Sequence, residues 1–77
     1  MEQKIREALA KINPEFENYS GDNLCGDLGI DSHDIFNVVM NLEDAFGIEI
    51  EPVYLRMENF MSIEKIADMI EKIMQAS

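Results

Sequence analysis

The sequence predicts an all-α protein: a small four-helix bundle of three longer helices and one short one, with a long loop after the first helix. Apolar residues recur three and four positions apart in three separate segments, which is the spacing of helices that bury one face. The segments are separated by residues that begin or end helices: Pro14, Asp31, Gly47, Pro52 and Ser62. Short helices joined by loops bury their apolar faces against one another, which favours a bundle.

The first helix is expected over residues 2–13, where one face is apolar: Ile5, Ala8, Leu9 and Ile12. Pro14 should end it, because proline lacks a backbone N–H and clashes with the preceding turn. The connection over residues 14–31 is rich in Asn, Ser, Asp and Gly. A loop of this length in a compact domain usually serves a function or contains a short helical turn. We expect four of its side chains to anchor it to the core: Phe16, Tyr19, Leu24 and Leu28.

The second helix is expected over residues 32–46. Asp31 or Ser32 can serve as its N-cap, and a carboxylate at Asp34 suits the positive end of the helix dipole. Gly47 is a natural residue to follow the last turn. The stripe expected to face inward is Ile35, Val38, Val39, Leu42, Ala45 and Phe46. The face expected to point outward carries Asp34, Asn37, Met40, Asn41, Glu43 and Asp44.

Pro52 suits the first turn of a short third helix, which we expect over residues 52–58. Residues 48–50 alternate briefly and are the one place where a strand is a minor alternative. Ser62 is expected to cap the fourth helix. The buried stripe of that helix should be Ile63, Ile66, Ala67, Ile70, Ile73 and Met74.

The composition limits the class of protein. Seventy-seven residues are expected to form one domain over residues 1–77, and an apolar content of 47% excludes a disordered acidic tail. We find no signal-peptide pattern at the start and no apolar run long enough to span a bilayer. Cys25 is the single cysteine, so the chain has no internal disulfide framework. A reducing, cytoplasmic location is the expectation.

The charge is strongly negative and unevenly placed. The net charge is −10, and no Lys or Arg occurs from Ile12 to Leu55. That stretch carries the following acidic residues: Glu15, Glu17, Asp22, Asp27, Asp31, Asp34, Glu43, Asp44, Glu49 and Glu51. Such a field repels nucleic acid and anionic lipid and attracts basic protein surfaces. We therefore expect neither nucleic-acid binding nor stable membrane association. We expect a monomer that binds partners with basic surfaces. General solubility is the alternative explanation.

One motif stands out within the acidic stretch. Asp27-Leu28-Gly29-Ile30-Asp31-Ser32 is followed by a helix with Val39-Met40-x-Leu42-Glu43-Asp44-x-Phe46, then by Ile48-Glu49-Ile50 and Pro52. A serine at a helix start lies near backbone N–H groups and the positive end of the dipole, which favour a phosphate-bearing group. In order and spacing this pattern resembles the acyl carrier protein family. The resemblance covers roughly residues 24–75 and is most specific over residues 27–52.

The resemblance implies a function. In the family, the serine of an Asp-Ser pair is esterified with 4′-phosphopantetheine, taken from coenzyme A by a separate Mg²⁺-dependent phosphopantetheinyl transferase. By this likeness Ser32 is the attachment residue and Asp31 flanks it. The carrier then holds acyl groups as thioesters for fatty-acid, polyketide or related biosynthesis and is not itself an enzyme. Its partners would be the transferase and acyl- or aminoacyl-loading and elongating enzymes with basic docking surfaces.

The resemblance also predicts two sets of residues on and under the second helix. The expected partner-binding residues are His33, Asp34, Met40, Glu43 and Asp44. Family members often open between helices to shelter cargo, and the acyl cavity expected here is lined by Val39, Leu42, Phe46, Ile50, Leu55, Ile66 and Ala67. The sequence departs from the family in three places: His33 where the family usually has Leu, Asn37 where carriers of primary fatty-acid synthesis often have an acidic residue, and a longer segment between Ile50 and Ile63. These departures indicate a specialised pathway at least as readily as primary fatty-acid synthesis.

Other chemistries fit less well. His33 is adjacent to Ser32, and neighbouring helical side chains point about 100° apart, so it is badly placed as a general base. Cys25 has no evident cation to lower its pKa and is expected to be a small apolar residue. The acidic residues lack the spacing of a calcium loop, so no metal site is predicted. The rival hypothesis is an acidic helical interaction or regulatory module in which Ser32 is only a helix cap.

Overall fold

The computed structural model describes residues 1–76, with the side chain of Ser32 left outside the description. Four α-helices are assigned in chain order: α1 (Glu2–Ala10), α2 (Leu24–Asp27), α3 (Ser32–Phe46) and α4 (Ile63–Ala76). Three 3₁₀ segments lie between them: Pro14–Asn18, Pro52–Tyr54 and Met57–Phe60. Residues 1–76 contain no strand, so residues 48–50 are irregular. The all-α fold class is confirmed.

The first helix is shorter than its apolar pattern predicts. α1 ends at Ala10, and the backbone amides of Ile12 and Asn13 both donate to the carbonyl of Leu9 in a closing turn. Asn13 then takes an extended conformation, and its side chain accepts a hydrogen bond from the Glu15 amide to cap the 3₁₀ segment that begins at Pro14. The helix ends before Asn13 because Asn13 caps the next element.

The long connection is well anchored and contains two helical turns. Phe16 is fully buried and Leu24 nearly so, while Tyr19 and Leu28 are half-buried against the same core. Nη1 of Arg6 in α1 donates to the carbonyl oxygens of Glu17 at 3.0 Å and Tyr19 at 2.6 Å. One guanidinium therefore ties the end of the first 3₁₀ segment to α1.

The second half of the connection is bonded to residues 60–61, the segment that directly precedes α4. The amide of Leu24 donates to the Met61 carbonyl at 2.8 Å, and the thiol of Cys25 faces the Phe60 carbonyl with Sγ 3.8 Å away. Burial raises the pKa of the Cys25 thiol. Cys25 is thus a small buried residue, as predicted, and α2 is positioned by contacts far away in sequence.

One continuous core lies between α1, α3 and α4 and the segments packed on them. Its fully buried large side chains are Phe16, Phe60, Ile5, Leu9, Leu24, Leu42, Ile66 and Ile70. Phe60 belongs to the last 3₁₀ segment. The single third helix that was predicted is replaced by two 3₁₀ segments, Pro52–Tyr54 and Met57–Phe60, with Leu55 and Arg56 between them. Met74 was expected in the buried stripe of the fourth helix but is 46% exposed near its end.

The predicted roles of Gly47 after the second longer helix and of Ser62 before the last helix are confirmed. Gly47 follows α3 in the left-handed conformation with φ of 63°, and its amide donates to the Glu43 carbonyl. Ser62 Oγ accepts a hydrogen bond from the Lys65 amide at 3.1 Å, which caps α4.

Replacing Arg6 should test how the long connection is held. Arg6→Ala removes the charged donor from the carbonyls of Glu17 and Tyr19, and hydrogen bonds to charged groups contribute about 1.5–3 kcal/mol. We expect a loss of that order in the free energy of unfolding, measured by urea denaturation. Lys11→Ala, at an exposed position beyond α1, is the matched control and should change it by less than about 0.5 kcal/mol. Equal losses in the two variants would show that Arg6 does not hold the connection.

Candidate functional site

The candidate site is the start of α3, where Ser32 is the first helical residue. Gly29 precedes it with φ of 66°, a conformation that side chains with a Cβ rarely adopt. The amide of Ile30 then donates to the Cys25 carbonyl at 2.8 Å, and the Ile30 side chain is buried. The turn before Ser32 is therefore held in place by a backbone hydrogen bond and by the buried side chain of Ile30.

Asp31, and not Ser32, is the N-cap of α3. Its Oδ1 accepts a hydrogen bond from the Asp34 amide at 3.0 Å, and Oδ2 of Asp34 accepts one from the Asp31 amide at 3.4 Å. The two residues thus form a reciprocal capping box. The hydrogen bond from the Asp34 amide lowers the pKa of the Asp31 carboxyl, and the amide of His33 adds to this effect. Asp31 therefore stays charged at neutral pH and takes the capping role.

The capping box changes one expectation about this helix start. The sequence suggested that unpaired backbone N–H groups would be available to a phosphate group. In the structure, the amide of Asp34 donates to the Asp31 carboxylate and the amide of Asp31 donates to the Asp34 carboxylate. The capping box therefore occupies part of the donor capacity of the first turn.

The predicted outward face of α3 is divided into exposed and structural residues. His33, Met40 and Asp44 are exposed, and Asp34 is half-buried in the capping box. Oε2 of Glu43 instead accepts a hydrogen bond from the Ile50 amide at 2.8 Å. Glu43 therefore positions the segment after α3, which corrects the expectation of a free outward carboxylate.

Asn41 is a second correction on that face. Its side-chain amide donates to the Ala8 carbonyl of α1 at 3.4 Å, and the residue is half-buried. Periodicity placed Asn41 outward because it is polar. A polar side chain at the margin of a helix contact can instead bond to the neighbouring backbone.

The predicted cavity residues fall into three groups. Val39, Leu42, Ile50 and Ile66 are buried in the core, while Phe46 and Ala67 are half-buried at its edge. The ammonium of Lys4 lies 5.0 Å from the centre of the Phe46 ring. Leu55 is 37% exposed between the two later 3₁₀ segments, so it lies outside the core, contrary to expectation.

Sequence reasoning missed an apolar groove beside the start of α3. Phe36, one turn after Ser32, is 62% exposed and had been placed on neither face of the helix. It lines a groove of about 160 Å³ together with Ile35, Leu55, Arg56 and Met57. A large exposed aromatic residue next to a proposed attachment position is a signal that the sequence did contain. The segment that forms the other side of the groove, residues 55–57, was not identifiable because it lies more than a dozen residues further along the chain.

The described residues limit other kinds of site. No group of three or more His, Cys, Asp or Glu side chains in residues 1–76 is arranged to hold a metal ion. Within the same part of the chain, no helix combines the length and hydropathy that crossing a bilayer requires.

Comparison with known proteins identifies the family. The family model described as "Phosphopantetheine attachment site" matches residues 3–70. The chain is 40% identical over 50 residues to the "Acyl carrier protein, chloroplastic" of Brassica napus, covering 65% of this chain and 36% of that protein. This chain belongs to the acyl carrier protein family.

Other relatives of this carrier agree. It is 32% identical over 62 residues to the "Acyl carrier protein 1, chloroplastic" of Casuarina glauca, covering 80% of this chain and 44% of the relative. It is 34% identical over 62 residues to the "Acyl carrier protein 4, chloroplastic" of Cuphea lanceolata, covering 80% and 43%. The chain spans less than half the length of these relatives. No solved structure matches it at a significant level. The matched family model places a phosphopantetheine attachment site within residues 3–70 of this chain.

The capping box predicts a pH dependence of stability. A carboxyl whose pKa is lowered in the folded state adds stability above its unfolded pKa, and that stability is lost as the pH falls through the folded pKa. Asp31→Asn keeps a good N-cap but removes the titration. We expect this variant to lose less stability than the wild type when the pH is lowered below about 4. Urea denaturation at pH 7 and at decreasing acid pH measures the difference.

The control for this experiment is Asp68→Asn, which removes one negative charge from an exposed position of α4. It separates the cap from the general relief of repulsion in a chain of net charge −10. An acid dependence in Asp31→Asn that equals that of Asp68→Asn would mean that the Asp31 carboxylate does not stabilise α3.

Proposed function

We propose that this chain carries acyl intermediates as thioesters on a 4′-phosphopantetheine arm esterified to Ser32. The observation that supports this position is the capped start of α3, in which Asp31 is the N-cap and Ser32 is the first residue of the helix. A long flexible arm needs a rigid root, and the buried Ile30 and the turn at Gly29 supply one. The match to the attachment-site family over residues 3–70 supports the same chemistry.

The pathway is proposed at the level of fatty-acid, polyketide or related biosynthesis. The relatives are named as chloroplastic acyl carrier proteins, which supports an acyl cargo. His33 at an exposed position after Ser32 and the two 3₁₀ segments between Ile50 and Ile63 support partners adapted to this chain. A cytoplasmic location and a monomeric state stay predictions from composition and charge.

The docking surface proposed for basic partner enzymes is the exposed part of α3, formed by His33, Met40 and Asp44. Met40 is 63% exposed and offers a soft apolar contact, and Asp44 is exposed one turn later. Asp34 and Glu43 contribute negative potential from their structural positions. The partners proposed are the phosphopantetheinyl transferase and the enzymes that load and extend the acyl group.

Cargo shelter inside the bundle is proposed for the core side of α3. Val39, Leu42, Ile50 and Ile66 belong to the same buried core, and apolar cargo that enters it would gain about 0.8 kcal/mol per buried methylene. Leu55 is excluded from that space by its exposure and belongs to the outer groove.

The experiment that tests the attachment is Ser32→Ala, with Ser20→Ala as the matched control in the long connection. Both variants are incubated with coenzyme A, Mg²⁺ and a broad-specificity phosphopantetheinyl transferase, and intact mass is measured. Ser32→Ala should gain no phosphopantetheine, while Ser20→Ala should load as the wild type does. Because Asp31 is the cap, Ser32→Ala should change the free energy of unfolding by less than about 0.5 kcal/mol.

The same measurement decides against the rival function. An acidic interaction module would gain no mass in the wild type, and loading of Ser32→Ala would place the arm elsewhere. Either result contradicts the proposal, since in both cases a folded protein fails to use Ser32.

A second prediction concerns docking. Asp44→Lys reverses an exposed charge on α3 and should weaken association with a basic transferase by about 1.4- to fivefold, since an exposed ion pair contributes roughly 0.2–1 kcal/mol. Raised salt should weaken the wild type and affect the variant less. Association is measured by the dependence of the loading rate on carrier concentration. Asp68→Lys on α4 is the control, and equal effects of the two reversals would show that α3 is not the docking face.

A further inference from the structure

The start of α3 presents an electrostatic difficulty for a phosphopantetheine arm. The arm is joined through a phosphodiester, which is an anion at neutral pH. Ser32 lies between Asp31 and the half-buried Asp34, and the Asp31 carboxylate is held in its charged form by backbone amides. Helix starts ordinarily favour phosphate because their N–H groups are unpaired. Here the capping box engages the amides of Asp31 and Asp34, so part of that compensation is already taken.

The remaining source of positive charge is a side chain, and the chain offers few. It has six Lys and Arg residues in all, and none lies between Ile12 and Leu55. Arg6 is bound to the carbonyls of the long connection. Lys4 lies over Phe46, which is the last residue of α3 and therefore at the far end of the helix from Ser32.

Arg56 is differently placed. It lines the groove of about 160 Å³ together with Ile35 and Phe36, which follow Ser32 by three and four positions on α3. Residues three and four apart on a helix are neighbours, with about 5–6 Å between their Cβ atoms. The groove that holds Arg56 therefore lies one helical turn from the attachment position. Its other walls, Leu55 and Met57, are apolar and hold no competing anion.

We propose that the guanidinium of Arg56 pairs with the phosphodiester of the arm at Ser32 and holds the first part of the arm against the Phe36 groove. This inference rests on the proposed attachment at Ser32. A guanidinium suits the role because its planar set of donors can bind two phosphate oxygens at once. Arg56 would then supply positive charge at a helix start where part of the amide donors are already bonded to Asp31 and Asp34.

Glu58 is the competitor for Arg56 within the chain. Nη1 of Arg56 lies 3.8 Å from Oε1 of Glu58, beyond hydrogen-bond distance, and the two side chains are 68% and 69% exposed. An exposed pair of this kind is weak and easily exchanged for another anion. Removing the Glu58 charge should therefore strengthen the contact between Arg56 and the arm.

The test uses the full chain in apo form and in holo form, with loading verified by intact mass. The ³¹P resonance of the phosphodiester and the amide shifts of Ile35, Phe36, Leu55 and Met57 are compared between variants. Arg56→Gln should return these amide shifts towards their apo values and weaken binding of the arm to the groove by about 1.4- to fivefold, as loss of an exposed ion pair predicts. Arg56→Lys should give an intermediate value, because it keeps the charge and loses the paired donors. Glu58→Gln should act in the opposite direction.

Lys65→Gln is the matched control. Lys65 lines a separate groove between α4 and the later 3₁₀ segments, which Arg56 also borders but Phe36 does not. This variant removes the same charge and should leave the holo shifts of Phe36 unchanged. Equal shifts in holo wild type and holo Arg56→Gln, or equal effects of Arg56→Gln and Lys65→Gln, would overturn the inference while leaving the attachment intact. If the wild type gains no phosphopantetheine mass, the proposed function is overturned, and this inference is overturned with it.

Discussion

Carboxylates bonded to backbone amides fix α3 at both ends, and the rest of the structure is arranged around that helix. Asp31 and Asp34 close its first turn, and Glu43 in its last turn accepts the amide of Ile50 from the chain that leaves it. In a chain of net charge −10, acids used in this way are held in place and serve as structural acceptors. The helix that presents Ser32 therefore depends on local hydrogen bonds as well as on the apolar face it buries.

The long connection before α3 contributes the second part of the support. Arg6 holds its first half to α1, and the Tyr19 hydroxyl donates to Asp27 at 2.7 Å while accepting the amide of Asn23. Partial burial raises the pKa of Tyr19, and the bond to the Asp27 carboxylate adds to the rise. A phenol that stays protonated keeps this bond over the physiological pH range. The chain thus reaches Gly29 from a fixed position.

Sequence patterns predicted the elements whose cause is local. Gly47 ends α3 and Ser62 caps α4 because each signal acts within one turn. The choice between Asp31 and Ser32 as N-cap was open, since either side chain can accept the amide, and only the conformation of the chain decides it. The end of α1 was predicted too late because Ile12 fits the apolar spacing while Asn13 is needed as the next cap.

The errors concern side chains whose partners are distant in sequence. Glu43 and Asn41 looked like solvent-facing residues because both are polar, yet Glu43 bonds to a loop seven residues on, and Asn41 to α1 across 33 positions. Leu55 looked like core because it is apolar, but two short 3₁₀ segments replace the predicted helix and leave it beside Phe36. Periodicity predicts which face of a helix a residue lies on, but it does not identify the residue from another segment that will contact it.

The charge distribution then links the two roles of α3. A negative surface favours meeting basic enzymes, and exposed Asp44 and the acids near Ser32 provide it. The same field would oppose the phosphodiester proposed at Ser32, and the capping box already occupies part of the amide donors at the helix start. In the proposed arrangement, a cation from another element offsets this repulsion from the side of the groove, and the proposed docking residues are left unchanged. Arg56 has that position, and its weak pairing with Glu58 leaves it available.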